Sequence, residues 1–135
     1  MEEITRRDLA FRYIYSQEIQ KQNSKSQVKL FLDSQEVVEG KSREYVKDVA
    51  NGIKENNEVI SSLIEKNLKQ GWTIDRISIV DLSLLKLAIY EINYIKTPFK
   101  IIINEVVNMA KRYGDDKSAS FINGILAKIV EQENI

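Results

Sequence analysis

The 135-residue chain contains no cysteine and no histidine. Disulfides, thiol nucleophiles, thiolate metal sites and histidine acid–base chemistry are therefore excluded. Carboxylates, lysines, tyrosines and hydroxyls are the groups left for chemistry. There is no glycine-rich phosphate loop, no GxGxxG and no acidic loop of calcium type, and no pair of carboxylates projects from an evident pocket as glycosidase-like work requires. Neither sign of charge is in excess: 20 Lys and Arg stand against 20 Asp and Glu. The halves do not differ, with twelve of each sign in residues 1–70 and eight of each in 71–135. Nucleic-acid binders often show a basic excess, because phosphate neutralisation supplies much of their affinity. Any such binding here must use a local patch or a partner that brings charge. No apolar run approaches the ~18 residues of a membrane span. Met1 is followed by Glu2 and Glu3, which is not the start of a secretory signal. These absences favour binding over catalysis and leave no cofactor to expect.

One proline, Pro98, and five glycines punctuate the chain, which argues for helices with short connections. No internal repeat or low-complexity segment is visible. The length suits one domain or two small subdomains sharing a core. Hydrophobic residues make up 43% and charged residues 30%, ordinary values for a globular fold. The fold class expected is all-α, with six or seven helices.

Thr5-x-x-Asp8 has the spacing of a capping box and starts a first helix. Leu9, Ala10, Tyr13 and Ile14 share one face, Phe11 and Tyr15 flank it, and Asp8, Arg12 and Ser16 form the polar strip opposite. Residues Gln20 to Gln27 read as a loop, followed by a short helix holding Val28, Phe31 and Leu32 and a polar connection near Gly40. Ser42 is the expected N-cap of one long helix running to Leu68 and stopping at Gly71. Its stripe is Val46, Val49, Ile53, Ile60, Ile64 and Leu68, interrupted by Asn56 and Asn57. Trp72 to Ile74 reads as a turn or short helix. From Asp75 to Ile95 apolar residues fall on nearly every face, as in the central helix of a bundle. Pro98 starts the next helix, Ile102, Val106, Met109 and Ala110 form its stripe, and Gly114 ends it. Asp115 or Asp116 then caps a final helix whose stripe is Phe121, Ile122, Ile125, Leu126 and Ile129.

Each candidate site has a bland reading beside the functional one. Arg6 and Arg7 at a helix start can fork onto phosphates, or be solvated charges partly neutralised by Asp8. Lys111, Arg112, Asp115 and Asp116 are explained by helix-end electrostatics, which leaves Lys117 over. Lys117, Ser118 and Phe121 lie where helix N–H groups can meet a phosphate and a ring can stack on a base; periodicity makes Phe121 a core residue instead. Gly124, inside a helical pattern, marks close helix–helix approach. Glu105 reads as a buried helix-bridging acid. Asp81, in an apolar helix, must face water, a cation or a partner, and a surface strip of Asp81, Lys86 and Glu91 satisfies it.

The ordered series Trp72, Arg76, LAIYE, Pro98, INE, AKRYG and SFING resembles the NusB family, and RRDLAFRYIYS near the start agrees with it. The resemblance implies two packed three-helix subdomains, about 1–71 and 72–135. It implies a cytoplasmic bacterial antitermination factor that binds boxA-type single-stranded RNA jointly with NusE, a small-subunit ribosomal protein. Termination by RNA polymerase during ribosomal RNA transcription would thereby be suppressed. It assigns Arg6, Arg7, Tyr15, Lys117, Ser118 and Phe121 to RNA, and Asp81 with Lys86 to the protein partner. Only two of the N-terminal arginines are adjacent, so the RNA affinity expected of the isolated protein is low. Two alternatives stay open: the NusB-like domain of a ribosomal RNA cytosine methyltransferase, and a homodimerising module without RNA binding. The chain shows no βαβ cofactor segment, so by itself it is not expected to be that enzyme.

Overall fold

A computed structural model describes residues 5–20, 31–32 and 40–133. Six α-helices are seen among them: α1 (Arg6–Gln20), α2 (Gly40–Glu55), α3 (Asn57–Glu65), α4 (Ile79–Tyr90), α5 (Phe99–Tyr113) and α6 (Ser118–Gln132). No strand occurs among the described residues. The predicted loop after Gln20 and the position of Val28 lie outside the described residues. Phe31 and Leu32 sit in a helical turn, where Leu32 is buried and Phe31 meets Tyr13 edge-on at 5.4 Å between centroids.

The capping box of α1 forms as its spacing predicts. The Asp8 N–H donates to Thr5 Oγ1 at 3.1 Å, and the Thr5 N–H donates to Asp8 Oδ2 at 3.0 Å. The long helix expected from Ser42 to Leu68 is instead two helices, and Ser42 lies inside the first. The break falls at Asn56. Its Nδ2 and its backbone N–H both donate to the Gly52 carbonyl, at 2.8 and 3.0 Å, so the side chain competes with the regular ladder. The re-aimed α3 turns Ile60, Leu63 and Ile64 inward. Gly71, at φ +88°, reverses the chain after it, and Trp72 beside it is 47% exposed.

The central helix also starts later than the apolar pattern suggests. A 3₁₀ turn at Ile74–Arg76 comes first, and Ser78 caps α4 by accepting the Asp81 N–H at 3.1 Å. Every residue from Asp81 to Ile92 is buried, because α4 packs against α1, α2, α3, α5 and α6. A π-turn at Glu91–Ile95 and left-handed Lys96 (φ 69°) close it before Pro98 opens α5. Close approach by a glycine occurs at Gly52, not at Gly124. A Cβ on Gly52 would collide with the Tyr90 ring, whereas one on Gly124 meets nothing within 4 Å. The expectation for Gly124 is therefore corrected: it faces out of α6.

Candidate nucleic-acid interface

The start of α1 is fastened to the end of α5 through one carboxylate. Asp8 is 1% exposed, and its Oδ1 accepts from Arg112 Nη2 at 2.9 Å and from the Tyr113 hydroxyl at 3.1 Å. Burial pushes the Asp8 carboxyl up, but the Thr5 and Tyr113 bonds and the Arg112 charge outweigh it, so it lies below the ordinary value. Phe11 packs on the Tyr113 ring at 4.6 Å, Tyr15 lies 6.0 Å from Phe11, and Arg12 reaches the Tyr113 hydroxyl at 3.4 Å. Tyr15 is half-buried, with part of its surface open to solvent.

The two N-terminal arginines part company. Arg6 is exposed, its guanidinium 4.7 Å from the Tyr45 ring centre. Arg7 instead forks onto Glu91, with Nε to Oε2 at 2.6 Å and Nη2 to Oε1 at 3.0 Å. Glu91 is 1% exposed and also accepts from the Tyr45 hydroxyl at 2.7 Å and Thr97 Oγ1 at 2.8 Å. Burial raises its pKa, but Arg7, Tyr45 and Thr97 together hold it below the ordinary range. Arg7 is thus engaged inside the fold rather than presented as a free phosphate fork. The same neighbourhood includes half-buried Glu105, whose charge acts on Arg7. The fully buried helix-bridging acids are Asp8 and Glu91, not Glu105.

The α5–α6 turn is built tightly. Asp115, not Asp116, caps α6: its Oδ1 accepts the N–H groups of Lys117 at 2.8 Å and Ser118 at 3.1 Å. Ser118 Oγ accepts the Asp115 N–H at 3.0 Å, and a Cβ on Gly114 would strike that hydroxyl. Lys117 is exposed and Phe121 half-buried against the core. Ser118 is 1% exposed, so its hydroxyl braces the turn and is withdrawn from any phosphate.

The expected surface strip of Asp81, Lys86 and Glu91 is not present, since all three are buried with the rest of α4. Lys86 Nζ donates to Glu18 at 2.5 Å and to Asn57 at 2.9 Å, tying α4 to α1 and α3. Asp81 is in the first turn of α4, where Ser78 caps its N–H and its carboxyl Oδ1 is enclosed. A helix greasy on every face puts its polar residues inside as well, which was the available signal. Arg112, Tyr113 and Glu91 were missed as parts of this site because their partners stand 84 to 105 residues away. Among the described residues no cluster of three acids that could hold a metal ion is found, and no helix is long and apolar enough to cross a membrane.

With Asp8, Lys86 and Glu91 engaged in joining helices, and Arg6, Lys117 and parts of the Tyr15 and Phe121 rings left outside, the molecule is a helical binding protein. The NusB family model matches residues 4–131. The transcription antitermination protein NusB of Acetivibrio thermocellus is 44% identical over 93% of this chain and 86% of its own length. That of Ruminiclostridium cellulolyticum is 38% identical over 91% and 84%. Among solved structures, T. maritima NusB superposes with a TM-score of 0.85 at 34% identity, covering 94% of this chain and 89% of its own. A crystal structure of antitermination factors NusB and NusE in complex with dsRNA superposes with a TM-score of 0.85 at 27% identity, covering 94% of each chain. The chain belongs to the NusB family: it is an antitermination factor and not an enzyme.

Proposed function

We propose that the chain binds a boxA-type single-stranded RNA jointly with NusE in the bacterial cytoplasm, and so suppresses termination by RNA polymerase during ribosomal RNA transcription. The observation that carries this reading is the Asp8 clamp, which sets the start of α1 beside the turn bearing Lys117. Exposed Arg6 and Lys117 then serve the phosphates, and half-buried Tyr15 and Phe121 offer ring surface to bases. Arg7 and Ser118 support that surface from within, and buried Lys86 supports the partner face by holding α1, α3 and α4 together. The relative solved with NusE and RNA supports a joint complex. Its RNA is double-stranded, so the single-strand preference rests on the two rings.

Zero net charge argues that NusE is needed, since a protein without a basic excess gains little from counterion release. Gel-shift titrations of a boxA-type oligonucleotide should show weak binding by the chain alone and much tighter binding with NusE present. Equal affinity with and without NusE would sink the proposal.

A further inference from the structure

Arg6 and Arg7 converge on Tyr45 of α2, one on its ring and the other through Glu91. Tyr45 is 9% exposed, and its hydroxyl donates to Glu91 Oε2 at 2.7 Å. The same oxygen accepts from Arg7 Nε at 2.6 Å, and Thr97 Oγ1 donates to the other carboxylate oxygen at 2.8 Å. The phenol is therefore anchored by a carboxylate whose own position two further donors fix. Arg6 lies over the ring, its Cζ 4.7 Å from the centroid. That is inside the ~6 Å within which a guanidinium is drawn to an aromatic face. Arg6 is nevertheless exposed, and among the described residues no hydrogen bond or ion pair takes up its guanidinium N–H groups.

We propose that Tyr45 is a positioning residue for RNA binding: its ring holds the Arg6 guanidinium by the face and leaves the N–H edge open to a phosphate. This rests on the RNA-binding reading given above. A guanidinium is planar, with its donors directed outward in that plane. Contact with a ring uses the face, and the fork onto a phosphate uses the edge, so the two do not compete. A long side chain that is already ordered loses less freedom when it binds. In a protein with no basic excess, one arginine ordered in advance is worth more than one that must be found by search. A leucine at position 45 would fill the same core space and offer no face.

One measurement needs no RNA. The Arg6 Cδ protons should be shifted upfield by the ring in the unaltered protein and in Tyr45→Phe, and return to their ordinary position in Tyr45→Leu. Tyr45→Phe keeps the face, and Arg7 with Thr97 still pairs Glu91. The second measurement is the affinity for a boxA-type oligonucleotide in the presence of NusE. Tyr45→Phe should bind as the unaltered protein does. Tyr45→Leu should bind about two- to tenfold more weakly, the share of ordering one long side chain. Its log–log salt slope should stay as it was, because the Arg6 charge is still present. Arg6→Ala added to Tyr45→Leu should cost less than Arg6→Ala alone. Trifluorophenylalanine at position 45 keeps the ring's shape and drains charge from its face. It should weaken binding as the leucine does, and it gives the answer if Tyr45→Leu does not fold. Arg6 shifts that are ordinary in the unaltered protein, losses that simply add, or native affinity in the trifluorinated form would overturn the positioning role alone. An unaltered protein that binds no RNA even with NusE would overturn the RNA-binding reading, and the role with it, whatever the Arg6 shifts.

Discussion

Neighbouring residues of one type can have opposite duties. Arg6 is exposed, whereas Arg7 is locked onto a buried carboxylate. Arg6→Ala should leave the melting temperature nearly unchanged and lower the log–log salt slope of RNA binding by roughly 1, the share of one phosphate contact. Arg7→Ala should instead destabilise the fold, toward the lower end of about 3–5 kcal/mol, because Glu91 keeps only Tyr45 and Thr97 as donors. Urea denaturation beside salt-dependent gel shifts separates the two; identical profiles for both variants would refute the division. Phe121 is intermediate by position. If its open face stacks on a base, Phe121→Ala should lose about 1–3 kcal/mol of RNA affinity. Its half-burial should keep the stability loss below the about 3–5 kcal/mol of a fully buried phenylalanine. Ile125, buried on the same helix, is the control. A stability shift for Phe121→Ala equal to that of Ile125→Ala, with native RNA affinity, would show no stacking.

Elements were legible in the sequence where their ends carry local chemistry. Pro98, Gly114 and Asp115 delimit α5 and α6, and Thr5 with Asp8 opens α1, because each signal acts within a few residues. The break at Asn56 was not, since Asn56 and Asn57 looked like interruptions of a seam and only the competing bond to Gly52 shows a change of direction. The site was legible as a set of exposed charges at two places. What joins the places, Asp8 to Arg112 and Tyr113, depends on contacts about a hundred residues apart that no periodicity records. The two helical glycines give a test at this scale. Gly124→Ala should raise the folding stability, by up to about 1 kcal/mol of helix propensity. Gly52→Ala should lower it, by about 1–3 kcal/mol or more, because the Tyr90 ring occupies the space a methyl needs. Equal shifts of one sign would contradict the packing described.

At the scale of the molecule, Asp8 and Glu91 join α1 to α5 and to the end of α4, with Tyr45 of α2 on the second acid. Both have pKa values held below the ordinary carboxylate range. A depressed folded pKa contributes stability that is present above the unfolded value and lost as pH falls through the folded one. Urea midpoints should therefore hold at neutral pH and decline below about pH 4, where free carboxylates take up protons. Glu91→Gln should start lower and lose less across that window; a parallel decline would mean that Glu91 is not among the groups responsible. Asp81 has the opposite sign. Its raised pKa gives stability that is full below the unfolded value and lost as pH rises through the folded one, so Asp81→Asn should be the more stable form at neutral pH.

We propose that Gly71 divides the chain into its two subdomains, and the single tryptophan stands beside that joint. Trp72 is half open to solvent, while Tyr13, Tyr45 and Tyr90 are buried in the core. Excitation at the red edge of the absorption band, where the indole absorbs and the phenols do not, reads the polarity of that one joint. A partner seated on the joint would shift the indole maximum, and an RNA seated on the Lys117 turn would leave the indole dark to its arrival.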